Sequence, residues 1–295
     1  ITASGAINNQ GGKLTSLDTL NLTAKAVDNS ATGRIASNLA LAANVASLNN
    51  NDGQLTSVTA LTLDVNKGQL NNLNGLIRGP VLALNNLADV ANQGGEISTT
   101  QNLTFAANRL DNTGGKLLSD QGLAVQLDGA LINADGEVSS ANATDLRAAS
   151  LDNAGGEVTG DTALTINVSA ALNNRQGVLG SGQAVSINAA SLDNSNSGKV
   201  ISDANLTARI AGLLDNQGTG VLSAKGVMDV QAGGLDNRGG LLSGKDLLTL
   251  NTVSLDNRGG KVSADKDMQL NVSQLNNQNN GLLSGQKAIR YLGGA

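Results

Sequence analysis

The chain has 295 residues, with 24 acidic against 19 basic side chains, a net charge of −5, and no Cys, His or Trp. Zinc sites built on Cys or His, thiolate nucleophiles and any Ser-His-Asp triad are thereby excluded. The charge balance also argues against nucleic acid as a partner. The 40% hydrophobic content is almost wholly Leu, Val, Ile and Ala, with one Phe and one Tyr, so the core must be aliphatic and thin. No apolar run reaches the roughly 18 residues of a membrane-spanning helix, and the Ile1-Thr2-Ala3 start shows no basic segment followed by an apolar one.

Self-similarity decides the fold class. Along the chain a leading aliphatic residue recurs at Ile7, Val27, Leu48, Leu70, Val90, Leu110, Leu131, Leu151, Leu172, Leu192, Leu214, Leu235, Leu255 and Leu275. Every interval is 20, 21 or 22 residues. Two positions later stands an Asn in each of the fourteen copies: Asn9, Asn29, Asn50, Asn72, Asn92, Asn112, Asn133, Asn153, Asn174, Asn194, Asn216, Asn237, Asn257 and Asn277. A glycine follows within three or four residues: Gly12, Gly33, Gly53, Gly75, Gly95, Gly115, Gly136, Gly156, Gly177, Gly198, Gly220, Gly240, Gly260 and Gly281. The extra residue of the longer copies falls between Asn and Gly, as at Ser30 to Thr32 and Ser195 to Ser197, which marks that point as a turn.

Two residues beyond the glycine an aliphatic returns, as at Leu14, Ile35 and Leu55, and two further on stands Ser, Thr, Gly or Ala, as at Ser16, Ser37 and Ser57. A second alternation then follows, as in Leu20-x-Leu22, Leu103-x-Phe105, Leu164-x-Ile166 and Leu248-x-Leu250. Period two predicts short half-buried strands, and the Gly and Asn at the breaks oppose helix. The few aliphatics of one copy cannot offset the entropy of ordering about twenty residues, so the copies must stack on one another. The Leu-x-Leu, gap, aliphatic-Asx-Asn-turn-Gly order does not fit the leucine-rich repeat, nor do the Gly pairs fit the calcium-binding nonapeptide. The predicted architecture is an all-β parallel β-helix of about fourteen rungs, one domain over residues 1–295.

An Asn carries two donors and an acceptor, so identical side chains in successive rungs can bond along the stack while capping a turn. The fourteen Asn are therefore read as a structural ladder, and the fourteen Gly as turn glycines. The position before the Asn is Asp or Asn in twelve copies, with Asp193, Asp215, Asp236 and Asp256 in succession. Turn-forming Asx residues on a solvated corner account for it, with a cation site as the competing reading. No catalytic residue, cofactor or metal ligand is assigned. Around Leu73 to Val90 the pattern loosens. Pro80 interrupts a strand, Ala83 and Asn85 stand where apolar residues are expected, and Leu87 competes with Val90 as the leading aliphatic. A bulged rung is expected there.

The aliphatic-Asp-Asn-x-Gly-Gly-x-aliphatic-x-Ser…Leu-x-Leu unit, at Leu110 to Leu123, Leu151 to Ile166, Leu235 to Leu250 and Leu255 to Leu270, resembles the filamentous-haemagglutinin repeat. That repeat builds the long exoproteins of bacterial two-partner secretion, both adhesins and contact-dependent growth-inhibition effectors. The resemblance implies a right-handed parallel β-helix within a long filament at the cell surface. It also implies export in an unfolded state through an outer-membrane transporter. A Cys-free chain is compatible with that route. Neither the family's Asn-Pro-containing secretion domain nor a toxin domain has a counterpart here, so a fragment of a longer array is expected, with end-to-end self-association of the uncapped stack.

The expected function is structural: a rigid spacer projecting a receptor-binding or toxin-bearing region from the cell, with the receptor unidentified. Direct adhesion to surface glycans or proteins is the alternative, and two aromatic residues in the whole chain weigh against it. A polysaccharide-degrading enzyme needs clustered carboxylates in a walled cleft, whereas acids such as Asp64, Asp89, Asp128, Asp145 and Asp229 scatter singly.

Overall fold

The structure is a computed structural model that describes residues 1–293. It contains no helix among the described residues; 38 short strands run from Ala6–Asn8 to Ile289–Leu292. The chain forms two compact units, Ile1–Thr144 and Asp145–Ala295. Each unit is a parallel β-solenoid of seven rungs, about fourteen in all, with the three faces of each rung here termed A, B and C.

In the first unit, face A is the strand after the invariant glycine, from Lys13–Ser16 and Arg34–Ser37 to Lys116–Ser119 and Glu137–Ser140, each pairing in parallel with the next. Face B carries the second alternation, beginning at Leu20–Ala24 and Ala40–Val45. Face C holds the leading aliphatic, as in Ala26–Asp28 and Arg109–Asp111. Alternate side chains point inward, as the period-two pattern requires. Thus Leu20, Leu22 and Ala24 are buried while Asn21 and Thr23 are exposed. Identical rungs in register place aliphatic on aliphatic: Ile35 on Leu55, Leu41 on Leu61 and Leu110 on Leu131. Phe105, the one large aromatic in this core, is fully buried above Val125.

The second unit repeats this plan, with face A running from Glu157–Gly160 to Leu282–Gly285. Its later rungs differ in one respect. Faces B and C, separate in Ala163–Val168 and Ala171–Asn173, fuse into single bent strands at Leu206–Asp215, Met228–Asp236, Leu248–Asp256 and Met268–Asn276. The pairing of the first two fused strands shifts register between Ile210 and Leu213, a bulge that takes up the corner without ending the strand.

Two expectations need correction. Ala83 and Asn85 were expected on the core side, but Leu82 and Leu84 point inward, pairing with Leu61 and Leu63. The corner at Gly79-Pro80 is one residue shorter than its counterparts, and Asn86, left-handed at φ 52, returns that residue before the buried Leu87 and Val90. Pro80 stands just ahead of the strand Val81–Asn85, at the corner position where Asn38 and Val58 donate to the preceding rung's Ser16 and Ser37 carbonyls, a bond that proline cannot make. The face-B sheet of this unit accordingly stops at Val81–Asn85 and resumes at Leu103–Ala107. Nor do all extra residues lie between Asn and Gly. In the Leu48 to Leu70 interval they sit at the corner between faces B and C, where Asn66 and Lys67 adopt φ 50 and 63.

Candidate functional site

The most ordered polar feature is the corner between faces C and A, built from the Asx, the Asn and the glycine. Each ladder Asn lies inside this corner, and from Asn29 to Asn257 none has exposed surface. In the first unit Asn9, Asn29, Asn50, Asn72, Asn92 and Asn112 each donate from Nδ2 to Oδ1 of the next rung's Asn, ending at Asn133, all at 2.7 Å. In the second unit the same bond links Asn153, Asn174, Asn194, Asn216, Asn237, Asn257 and Asn277 in turn, at 2.7–2.8 Å.

The same amide does further work. Asn112 Nδ2 also reaches the carbonyl of Gly115 in its own rung at 3.1 Å and that of Glu137 in the next at 3.2 Å. Two amide protons are thus shared among three carbonyl oxygens. Its backbone N–H donates to the carbonyl of Ile132, and the N–H of Gly115 closes the turn onto the carbonyl of Asn112. A buried polar group is tolerated only when so satisfied. An aspartate carboxylate accepts but cannot donate, and leucine can do neither.

The glycines play a different part from the one their turn position suggests. The left-handed residue is the one before: Gly114 at φ 60, Gly239 at φ 67, but also Asp52, Asp135 and Gln176. The invariant glycine instead yields space. A Cβ on Gly115 would lie 2.1 Å from the Asn92 carbonyl oxygen of the preceding rung and 2.9 Å from Asn112 Oδ1; on Gly240 the matching distances, to Asn216 and Asn237, are 2.1 and 2.7 Å. Gly12, Gly33, Gly53, Gly75, Gly95, Gly136, Gly177, Gly198, Gly220, Gly260 and Gly281 all meet an Asn carbonyl or side-chain oxygen at under 3.0 Å. Gly156 holds the same place after Asn153, with its carbonyl accepting from Asn153 Nδ2 at 3.1 Å.

Outside the ladder, the Asx side chain caps the corner by accepting the N–H two residues on, as Asp111 does from Thr113 and Asp215 from Gln217. Of the four successive aspartates, Asp236 and Asp256 are each gripped by an arginine two residues later: Arg238 Nε and Nη2 at 2.9 and 2.6 Å, and Arg258 Nε and Nη2 at 2.9 and 2.7 Å. Asp193 accepts from Ser195, with Arg175 at 3.4 Å. Among the described residues no group of three or more acidic side chains is arranged to hold a metal ion.

The Arg258 hydrogen bonds hold the Asp256 carboxyl below its ordinary value of 3.8, against some desolvation, and the Ser30 hydroxyl does the same for Asp28. A carboxyl depressed in the folded state stabilises fully above its unfolded value, and the contribution is lost as pH falls through the folded one. Arg258→Gln should therefore begin acid unfolding at higher pH than the parent chain, with no change near neutrality beyond that of a surface pair. A circular-dichroism titration below pH 4.5 or so checks it.

The sequence reading also passed over a second set of caps. The small residue ending face A is a buried hydroxyl in several rungs: Ser37, Ser57, Ser119 and Ser202 Oγ each lie 2.6–3.0 Å from a carbonyl three residues on and from one in the preceding rung. From Ala224 onward the position is Ala or Gly. Smallness was readable from the alternation, but the hydroxyl's bonds were not.

Matches to the haemagglutinin repeat cover residues 1–78, 60–176, 162–226, 205–258 and 248–290. The chain belongs to the haemagglutinin-repeat family. No curated protein and no solved structure matches it. Haemagglutinin-repeat regions are typically structural rather than catalytic, and generally belong to secreted cell-surface proteins of adhesin-like character.

Proposed function

We propose that this haemagglutinin-repeat chain is a non-catalytic filament segment, a spacer that carries a receptor-binding or toxin-bearing region of a bacterial two-partner secretion exoprotein away from the cell. On this reading it reaches the surface through an outer-membrane transporter. The observation that carries it is the uniformity of the rungs: buried aliphatic columns and an unbroken Asn ladder within each unit. Such an interior leaves its side chains to packing and turn closure, and stacked repeats add length without adding a site.

A second reading, direct adhesion, rests on the outward rows of face B in the second unit. Thr165, Ser186, Thr207, Asp229, Thr249 and Gln269 align in one column and Asn167, Asn188, Arg209, Gln231, Asn251 and Asn271 in the next, polar throughout and interrupted by the Arg209–Asp229 ion pair. Hydroxyls and amides fixed in rows suit a hydroxyl-rich polymer. One experiment tests the stacking that both readings share, and a second separates them. Excision of one whole period, residues 235–254, should leave a folded, cooperatively melting chain, whereas removal of residues 235–244 alone should not. A glycan and cell-surface binding screen of the chain should be blank; specific retention lost on Thr207→Ala with Asn188→Ala would replace the spacer by an adhesin.

A further inference from the structure

Two requirements meet at the corner between faces C and A: a left-handed residue, then a glycine with no room for a Cβ. The first is met by glycine in several rungs, as at Gly114 and Gly239, but by Asn74 at φ 49 and Asn280 at φ 62 in two others. Asparagine tolerates that backbone region better than most side chains do. The second requirement is strict, since a Cβ on Gly75 would lie 2.2 Å from the Asn50 carbonyl oxygen and one on Gly281 2.4 Å from that of Asn257. Together they write the dipeptide Asn-Gly, which occurs in the sequence at Asn74-Gly75 and Asn280-Gly281 and nowhere else. Both asparagines are exposed. The pairing has a chemistry of its own: a glycine nitrogen, on a mobile backbone with no side chain to shield it, can attack the side-chain carbonyl carbon of the asparagine before it.

We propose that Asn74 and Asn280 are deamidation sites gated by folding, inert while their corners are closed and reactive in the unfolded chain. The backbone nitrogen of Gly75 gives up its proton and bonds to Asn74 Cγ, while the side-chain nitrogen gains a proton and departs as ammonia. Water then opens the cyclic imide at one carbonyl or the other, leaving aspartate or isoaspartate, and nothing is oxidised or reduced. The closed corner opposes the first step, because the peptide between Asn74 and Gly75 must rotate to bring the nitrogen onto Cγ. That peptide is pinned on both sides: Asn74 N–H donates to the Gln93 carbonyl at 3.0 Å, Gly75 N–H to that of Asn72 at 3.1 Å and Leu76 N–H to that of Gly53 at 2.8 Å. At the second site Gly281 N–H donates to the Gln278 carbonyl at 3.1 Å and Leu282 N–H to that of Gly260 at 2.9 Å. Isoaspartate routes the backbone through Cβ, one carbon longer, in a corner where a single added carbon already meets a carbonyl oxygen. A chain so modified cannot close that corner, so the time spent unfolded limits how many chains complete every rung.

The test holds the chain at one mildly alkaline pH and temperature, in guanidinium chloride and in native buffer, and follows it by peptide-mapping mass spectrometry with fragmentation that tells isoaspartate from aspartate. Both sites should convert in denaturant ahead of every other asparagine. In native buffer they should convert at least about tenfold more slowly, the factor set by a corner-opening cost of about 1.4 kcal/mol. After dilution from denaturant, chains carrying isoaspartate should lack hydrogen-exchange protection at the modified corner. Asn74→Gly with Asn280→Gly supplies the residue that Gly114 and Gly239 already use there, and that variant, held in the same way, should regain protection in full. Equal rates in the two conditions overturn the gating, and other asparagines reacting as fast in denaturant overturn the assignment. Full protection in isoaspartate-bearing chains overturns the stated consequence for the rung.

Discussion

Gly240→Ala is expected to cost about 3 kcal/mol or more, while Gly239→Ala beside it costs about 1–2 kcal/mol. The two glycines are adjacent but needed for different reasons. Gly239 has φ +67 and open space where a Cβ would go, so the substitution meets only the left-handed backbone penalty. The new methyl at Gly240 would lie 2.1 Å from a backbone carbonyl oxygen of the preceding rung and 2.8 Å from Asn216 Nδ2. Neither can yield without opening the rung-to-rung bonds. Urea unfolding of both variants, with hydrogen exchange at the 237–241 corner to localise the loss, provides the measurement. Equal effects at the two positions would contradict the assignment of space to one and backbone freedom to the other.

The second large effect belongs to the ladder. Asn237→Leu keeps the branched shape, with bulkier methyl ends, but removes the donor to Asn257 Oδ1 and to the carbonyls of Gly240 and Lys261, and the acceptor for Asn216 Nδ2. With the side chain wholly buried, the stranded partners cannot turn to water, and a loss of about 3 kcal/mol is expected. Asn237→Asp gives a second readout. It sets a buried carboxylate against carbonyl oxygens, which raises its folded pKa. The variant is then worst near neutrality, and its deficit against the parent narrows as the pH is lowered and the protonated carboxyl regains a donor. A thermal-melt series from pH 7 down to about 4 distinguishes this from plain loss of packing, which would be flat with pH.

Much of this architecture could be read from residue spacing because each rung carries its own punctuation. Leu248-x-Leu250 alternates inside, Asp256 and Asn257 turn the chain, and Gly260 lets the next strand approach; the same offsets recur, so one rung's geometry stands for all. Where the reading failed, a local trade was at work. At Pro80 one corner gave up a residue and Asn86 took it back, so the inward pair moved from Ala83 and Asn85 to Leu82 and Leu84 without any change in total period. Spacing counts cannot see such a compensated shift. Likewise, Gly239 and Gly240 look alike as letters, and only the distance to the neighbouring rung separates a conformational role from a steric one. The fused strands from Leu206–Asp215 onward are also silent in the sequence, because fusion depends on how a corner bends, not on which residues alternate around it.

The direction of the inter-rung bonds has a mechanical consequence. Backbone and Asn bonds within each unit join one rung to the next, so a pull applied along the stack loads those rows one after another instead of all at once. Yielding then proceeds by peeling, each event releasing one period, about twenty residues or some 70 Å of extended chain, while the rungs beyond it keep their own closed corners. A unit built this way absorbs tension in equal steps, each re-formable by laying one loop back onto an intact template.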